Sequence, residues 1–122
     1  MKSDNVVVEK SFQFALRIVK LFILLKEKKV ERELIIQLLK SGTSIGANVE
    51  EAMGGFSKRD FTHKLEIAYR ESRETRYWLR LLKESHFLEV KLADSFIKDC
   101  EELIKLLTAI LNSLKQKHTL QT

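Results

Sequence analysis

The chain has 122 residues, which is enough for one domain whose core needs neither disulfides nor a metal. Its one cysteine, Cys100, cannot form an internal disulfide, and this fits a reducing compartment. There is no secretory signal pattern, and no apolar run approaches the roughly 20 residues of a membrane span, so we expect a cytoplasmic protein without a membrane partner. The net charge of +5 permits an acidic partner such as nucleic acid but does not require one.

The first predicted element is a helix at about residues 4–26 that carries two apolar stripes. One stripe consists of Val8, Phe12, Ala15, Val19 and Phe22. The second stripe consists of Phe14, Ile18, Leu21 and Leu25. Because two stripes exceed what one side of a small bundle needs, we expect this helix to be central or covered by another subunit.

Three further helices follow at about residues 30–53, 57–85 and 91–115. The second ends at Gly54-Gly55, and Ser57 with Asp60 three residues later predicts the N-terminal cap of the third. The fourth carries a core stripe with 4-3-4-3-4 spacing: Phe96, Cys100, Leu103, Leu107, Ile110 and Leu114. Four long helices with short connections predict an all-α protein, an antiparallel up-down-up-down four-helix bundle that forms a single domain of residues 1–122.

All four glycines lie in SGTSIGANVEEAMGG, residues 41–55, within the second helix and its end. Gly42 and Gly46 lack the strand and lysine of a P-loop, and their spacing does not match the dinucleotide fingerprint. No histidine lies near Ser41 or Ser44, and no pair of Glu-x-x-His units suggests a di-metal site. We therefore predict no catalytic residue, metal, cofactor or small-molecule substrate, and we assign the small residues to close helix packing.

A polar layer is predicted between the second and third helices. Helical spacing places Phe61, Ala68, Trp78 and Leu82 on one buried face of the third helix. On or beside that face lie Lys64, Glu71, Glu74, Thr75 and Tyr77. The predicted hydrogen-bonded layer consists of Ser41, Ser44, Asn48 and Glu71, with Glu51 and Lys64 as further members, because buried polar groups need partners. The alternative is a rotated helix whose charged side chains reach the rim.

An arginine-rich stripe occupies the other face of the third helix. Its members are Arg59, Arg70, Arg73, Arg76, Arg80 and Lys83. They fall within an arc of roughly 140° at the helical rotation per residue. Because arginine favours phosphate and carboxylate, one interpretation is a surface for nucleic acid or an acidic protein. The other interpretation is a solvated or subunit-bridging face that neighbouring glutamates partly neutralise.

Two segments resemble a known family: LLKSGTSIGANVEEA (38–52) and DFTHKLEIAYRESRETRYWLRLL (60–82). They are similar to the bacterial four helix bundle protein family, also called the 23S rRNA intervening-sequence protein family, and the resemblance covers about residues 12–114. The family pattern S-x-x-S-I-x-x-N-x-x-E is matched by Ser41, Ser44, Ile45, Asn48 and Glu51. One branch of the third-helix pattern is matched by Glu71, Glu74, Tyr77 and Trp78. The chain departs from the branch that has Gly-Ser after the alanine, since Arg70-Glu71 follows Ala68-Tyr69.

The resemblance implies a four-helix bundle that assembles into a homopentameric ring. It also implies kinship with the accessory variability protein of diversity-generating retroelements, a basic pentamer that binds a reverse transcriptase and nucleic acid. The expected function is a non-enzymatic oligomeric module whose partners are its own copies and RNA, DNA or a nucleic-acid-associated protein. The alternative is a protein-protein adaptor ring that does not bind nucleic acid.

Overall fold

The computed structural model describes the backbone of residues 2–121 and the side chains of residues 4–116, and it consists of four helices. Helix α1 spans Lys2–Glu27, α2 Arg32–Met53, α3 Lys58–Glu84 and α4 Val90–Gln121. No strand occurs in the described backbone, so the predicted all-α class is confirmed. The largest difference from the sequence-based bounds is at α4, which continues six residues beyond its predicted end at about residue 115.

The four helices of the bundle are arranged in a square, and each helix packs against its two neighbours. The packed pairs are α1 with α2, α2 with α3, α3 with α4, and α4 with α1. Within the described residues, the diagonal pairs come no closer than 8 Å between Cα atoms. Short connections force consecutive helices to run antiparallel. The predicted up-down-up-down four-helix bundle is confirmed.

The core lies along the central axis of the bundle, and every helix contributes to it. Ile18, Leu38, Leu79 and Leu107, one from each helix, are fully buried. The core-facing line of α3 is Leu65, Ala68, Ser72, Thr75, Leu79 and Leu82. The helix is therefore rotated from the predicted face. Phe61, Lys64, Glu71 and Trp78 are half-buried at the rim, which is the alternative that the sequence left open.

Helix α1 buries only one of its apolar stripes within the chain. Phe14, Ile18, Leu21 and Leu25 enter the core together with Val7. The opposite side leaves four large apolar side chains in solvent, with exposed fractions of 56% for Phe12, 43% for Leu16, 41% for Val19 and 51% for Ile23. We call these four residues the α1 stripe. Both neighbours of α1 are already in place, so no helix within residues 2–121 covers the α1 stripe.

Gly42 and Gly46 allow α1 and α2 to approach closely. A Cβ atom on Gly42 would lie 2.8 Å from Cγ1 of Ile18, and one on Gly46 would lie 3.1 Å from the backbone oxygen of Ser11. Ordinary carbon contacts are about 3.5–4.0 Å, so a side chain at Gly42 would have to displace its neighbour. The predicted packing role of these glycines is confirmed, and their partner is α1.

The ends of the helices follow two different designs. Ser57 caps α3, since its hydroxyl accepts the Asp60 N–H at 3.1 Å, as the sequence predicts. Lys29 and His86, which follow α1 and α3, have φ angles of 59° and 67°. Each donates to a carbonyl three residues back, and the following residue donates to one five residues back, which is the Schellman arrangement. Among the described residues, no glycine has a positive φ.

Candidate nucleic-acid interface

The six basic residues predicted on α3 fall into two groups. Arg59, Arg70, Arg73 and Arg80 are exposed, and none of the four makes an ion pair with a described acidic side chain. Arg76 and Lys83 are half-buried and reach across to α4. Two members of the stripe are therefore engaged inside the chain.

Ion pairs join α3 to the first half of α4. Arg76 Nε lies 2.9 Å from Glu101 Oε2, and Lys83 Nζ lies 2.6 Å from Asp94 Oδ1. The hydrogen bond to Asp94 raises the pKa of the Lys83 ammonium. Lys83 lies seven residues after Arg76, and its partner Asp94 lies seven residues before Glu101. The two ion pairs therefore belong to the same antiparallel alignment of α3 with α4.

The second half of α4 offers no acidic partner. Glu102 is the last acidic residue of the chain, and residues 103–122 contain neither aspartate nor glutamate. The antiparallel register sets this neutral-to-basic half of α4 beside the beginning of α3. Arg59 and Arg70 therefore lie opposite a segment that cannot neutralise them, unlike Arg76 and Lys83.

An open cleft lies between the beginning of α3 and the second half of α4. We call it the end cleft, and its volume is about 1170 Å³. From α3 it is lined by Lys58, Arg59, Asp60, Thr62, His63, Glu66, Tyr69 and Arg70. From α4 it is lined by Thr108, Leu111, Asn112, Leu114 and Lys115. Four lysine and arginine side chains against two carboxylates give the end cleft a positive balance, which suits an anionic ligand.

The small polar residues predicted as a layer between α2 and α3 mostly bond within α2. Ser41 donates to the carbonyl of Leu38, and Ser44 to that of Lys40. Asn48 Nδ2 donates to the Ser44 carbonyl at 2.8 Å. Such bonds satisfy the side chains without a partner helix. These three residues therefore do not form the predicted hydrogen bonds to α3, because their own helix supplies the acceptors.

One ion pair of the predicted layer does connect the two helices. Lys64 Nζ lies 3.2 Å from Glu51 Oε1, at a partly exposed position. Exposed pairs of this kind contribute on the order of 0–1 kcal/mol. The sequence correctly predicted that these two residues lie close together. In the structure, however, the pair lies at the rim of the bundle and not in a buried layer.

The remaining motif residues form a cluster on α3 itself. Trp78 Nε1 donates to Glu74 Oε2 at 3.2 Å, and the Tyr77 ring meets the Trp78 ring edge-on at 5.1 Å between centroids. Partial burial, followed by the charge of Glu74, raises the pKa of the Glu71 carboxyl. Glu74 is thus the carboxylate nearest in effect to Glu71. The printed contacts of the cluster are one hydrogen bond and one ring contact within α3, which indicates a packing role.

The end cleft was not predicted from the sequence as a site. Arg59 and Arg70 were identified as basic positions, but Lys58, His63, Tyr69 and the α4 wall were not. The sequence does show that no acidic residue follows Glu102. This absence indicates a positively charged cleft only when α4 is known to pack antiparallel to α3.

Two other kinds of site find no support in the described residues. Their His, Cys, Asp and Glu side chains form no group of three that could hold a metal ion. Within residues 2–121, no helix combines the length and apolar character needed to cross a membrane.

Comparison with known proteins identifies the family. The profile of the family described as 23S rRNA-intervening sequence protein matches residues 3–109. A crystal structure from Bacteroides thetaiotaomicron VPI-5482, described as a protein with unknown function from the S23 ribosomal protein family, is similar with 44% identity and a TM-score of 0.86. That similarity covers 90% of this chain and 98% of the other, whereas no curated protein matches. The chain therefore belongs to the 23S rRNA-intervening sequence protein family.

Proposed function

We propose that this protein is a non-enzymatic interaction module that self-associates through α1 and binds nucleic acid through α3. The observation that carries the proposal is the α1 stripe, a row of exposed apolar side chains on a helix whose other side already fills the core. Contiguous exposed apolar patches on soluble proteins mark interaction surfaces.

A second copy of the same chain fits the α1 stripe. Phe12, Leu16, Val19 and Ile23 follow a 4-3-4 spacing, which is the spacing of the seam between two packed helices. The described bundle is closed and leaves no helix of its own to cover this seam. An apolar surface of a second copy can bury the stripe. The family resemblance suggests five copies in a ring, in which each copy contacts its two neighbours through two different surfaces.

Nucleic-acid binding is proposed for the exposed cations of α3. Arg59, Arg70, Arg73 and Arg80 are exposed and unpaired in the described structure, in contrast to Arg76 and Lys83. Guanidinium groups recognise phosphate oxygens well. An assembly repeats these contacts in every copy, so individually weak phosphate contacts add up through avidity.

Polar substitution of the α1 stripe should dissociate the assembly. For the double variant Leu16→Gln and Ile23→Gln, light scattering should give the chain mass of 14.3 kDa, while the unaltered protein gives a multiple of it. Burial of a leucine or isoleucine side chain contributes about 1.5–3 kcal/mol per site, and a ring loses this at every interface. Leu81→Gln is the matched control, since Leu81 is a similarly exposed leucine on α3. An unaltered protein that is already monomeric would contradict self-association.

Charge reversal on α3 should weaken nucleic-acid binding. For Arg73→Glu combined with Arg80→Glu, we expect at least about a tenfold loss of affinity for a labelled RNA oligonucleotide and a shallower dependence on salt. Fluorescence anisotropy between 50 and 200 mM salt (roughly the range over which phosphate contacts are lost) measures both quantities. The control is Lys98→Glu with Lys105→Glu, which changes the net charge equally at two exposed positions of α4. Equal losses in both double variants would mean that net charge alone matters.

A protein-docking role is the second candidate, and Tyr77 favours it. This side chain is 55% exposed and shares the outer face of α3 with Arg73 and Arg80. Tyrosine and arginine are enriched at the centres of protein interfaces. Salt-insensitive capture of one acidic protein, with no oligonucleotide binding, would favour this candidate over nucleic acid.

A further inference from the structure

The end cleft differs chemically from the rest of the α3 surface. Elsewhere the arginines stand on an open helix face, but Arg59 and Arg70 stand at the wall of a concave space. Concave sites enclose more of a ligand than a flat face does, and they are the usual location of specific binding. This cleft lies at the end of the bundle where α2 connects to α3 and where α4 extends to Gln121.

The two walls of the end cleft have different character. The α3 wall provides Lys58, Arg59 and Arg70, whereas α4 provides mainly neutral side chains such as Leu111 and Asn112. The half-buried ring of Tyr69 lies on the α3 side. A ligand that fits the cleft carries repeated negative charge for the cations of α3 and flat, partly apolar groups for the Tyr69 ring and the α4 wall. A single-stranded nucleic acid has this arrangement, since its phosphates follow one edge and its bases project from it.

The length of the end cleft fits several nucleotides. Arg59 and Arg70 are 11 residues apart on one helix, which corresponds to about 16 Å at the helical rise of 1.5 Å per residue. A strand that runs along α3 can therefore contact the two arginines with different phosphates. The volume of about 1170 Å³ also exceeds the roughly 300–1,000 Å³ of a typical small-molecule pocket.

We infer that the end cleft binds a short segment of single-stranded nucleic acid, with phosphates on Arg59 and Arg70 and a base stacked on Tyr69. The inference rests on the nucleic-acid binding proposed above and gives it a location and a preferred strand form. Asp60 and Glu66 also line the cleft, and Glu66 stands one helical turn before Arg70. The negative charge of Glu66 repels the phosphates, so the affinity is lower than it would be with a neutral side chain at this position.

The test uses two labelled probes with the full-length protein: an eight-nucleotide oligouridine and an abasic oligonucleotide with the same number of phosphates. Arg70→Gln and Tyr69→Leu should each weaken oligouridine binding about tenfold, while Tyr69→Phe keeps the ring and binds within about twofold. Arg73→Gln lies outside the cleft and should have a smaller effect than Arg70→Gln. The abasic probe should bind about tenfold more weakly, and Tyr69→Leu should not weaken it further.

A gain-of-affinity variant guards against loss through misfolding. Glu66→Gln removes one carboxylate from the cleft and should tighten oligouridine binding severalfold. Glu84→Gln, the control, removes an exposed carboxylate at the opposite end of α3 and should leave affinity unchanged.

The outcomes separate this inference from the function on which it rests. Equal effects of Arg70→Gln and Arg73→Gln, together with no effect of Tyr69→Leu, would overturn the cleft and leave binding to the open face of α3. Equal affinity for the two probes would overturn the stacked base. If the unaltered protein binds neither probe at low salt, the proposed nucleic-acid binding and the cleft fail together.

Discussion

Replacing Gly42 by valine should lower the free energy of unfolding by about 3 kcal/mol, the upper part of the range for an overpacked core. A Cβ atom there would lie 2.8 and 2.9 Å from Cγ1 and Cγ2 of Ile18. Ile18 is fully buried and branched at Cβ, so it cannot rotate away easily. The valine therefore has to push α1 and α2 apart or distort the core between them.

Ala47→Val is the matched control for this variant. It adds a valine to the same helix at an exposed position, and we expect a change within about 0.5 kcal/mol. Urea unfolding at one fixed protein concentration measures both variants, because association would otherwise alter the apparent stability. A Gly42→Val protein as stable as Ala47→Val would show that α1 and α2 do not approach as closely as described.

The Cys100 thiol should react about 1000-fold more slowly in the folded protein than in the urea-unfolded chain at pH 8. The side chain is fully buried, and its Sγ donates to the Ser72 carbonyl at 3.1 Å. Burial raises the pKa of the thiol from 9.0 to about 12, which lowers the reactive thiolate fraction by about three orders of magnitude. Reaction with an aromatic disulfide reagent, followed by absorbance, measures both rates. Equal rates would show that α3 and α4 separate readily around this residue.

The same pKa gives stability a defined dependence on alkaline pH. A group whose folded pKa is raised contributes fully below its unfolded pKa, so the contribution of Cys100 is intact below about pH 9.0 and is lost as pH rises towards about 12. The comparison with Cys100→Ala isolates the thiol, because every other side chain is the same in the two proteins. The free energy of unfolding should fall less steeply with pH in Cys100→Ala, and parallel curves would contradict the assignment.

The sequence predicted the four helices well but not the rotation of α3. Ala68, Thr75 and Leu82 belong to both the predicted and the observed buried line. The predicted line continued through Trp78 and the observed one runs through Leu79, because spacings of three and four admit either choice. Neighbouring helices decide between them. Leu65 and Leu79 become fully buried, whereas the indole of Trp78 remains at the rim beside Glu74.

The candidate site was predictable only within single helices. The arginine stripe follows from the helical period of α3 alone, and the structure leaves four of its six residues exposed. Which cations are neutralised depends on the register between α3 and α4, which no local pattern contains. Asp94 and Glu101 are therefore visible in the sequence as acids of α4 but not as partners of Lys83 and Arg76.

The two Schellman turns place non-glycine residues at positive φ, and this affects which substitutions the chain can tolerate. Lys29 and His86 occupy a backbone region that costs L-residues roughly 1–2 kcal/mol and glycine much less. The glycines of the chain are used instead between Gly42 and Gly55, where none has a positive φ. The bundle thus tolerates strain in both connections at one of its ends. Natural proteins are rarely at their stability optimum. Glycine at position 29 or 86 would remove the backbone strain, and the stability gained could compensate for destabilising substitutions elsewhere on the surface.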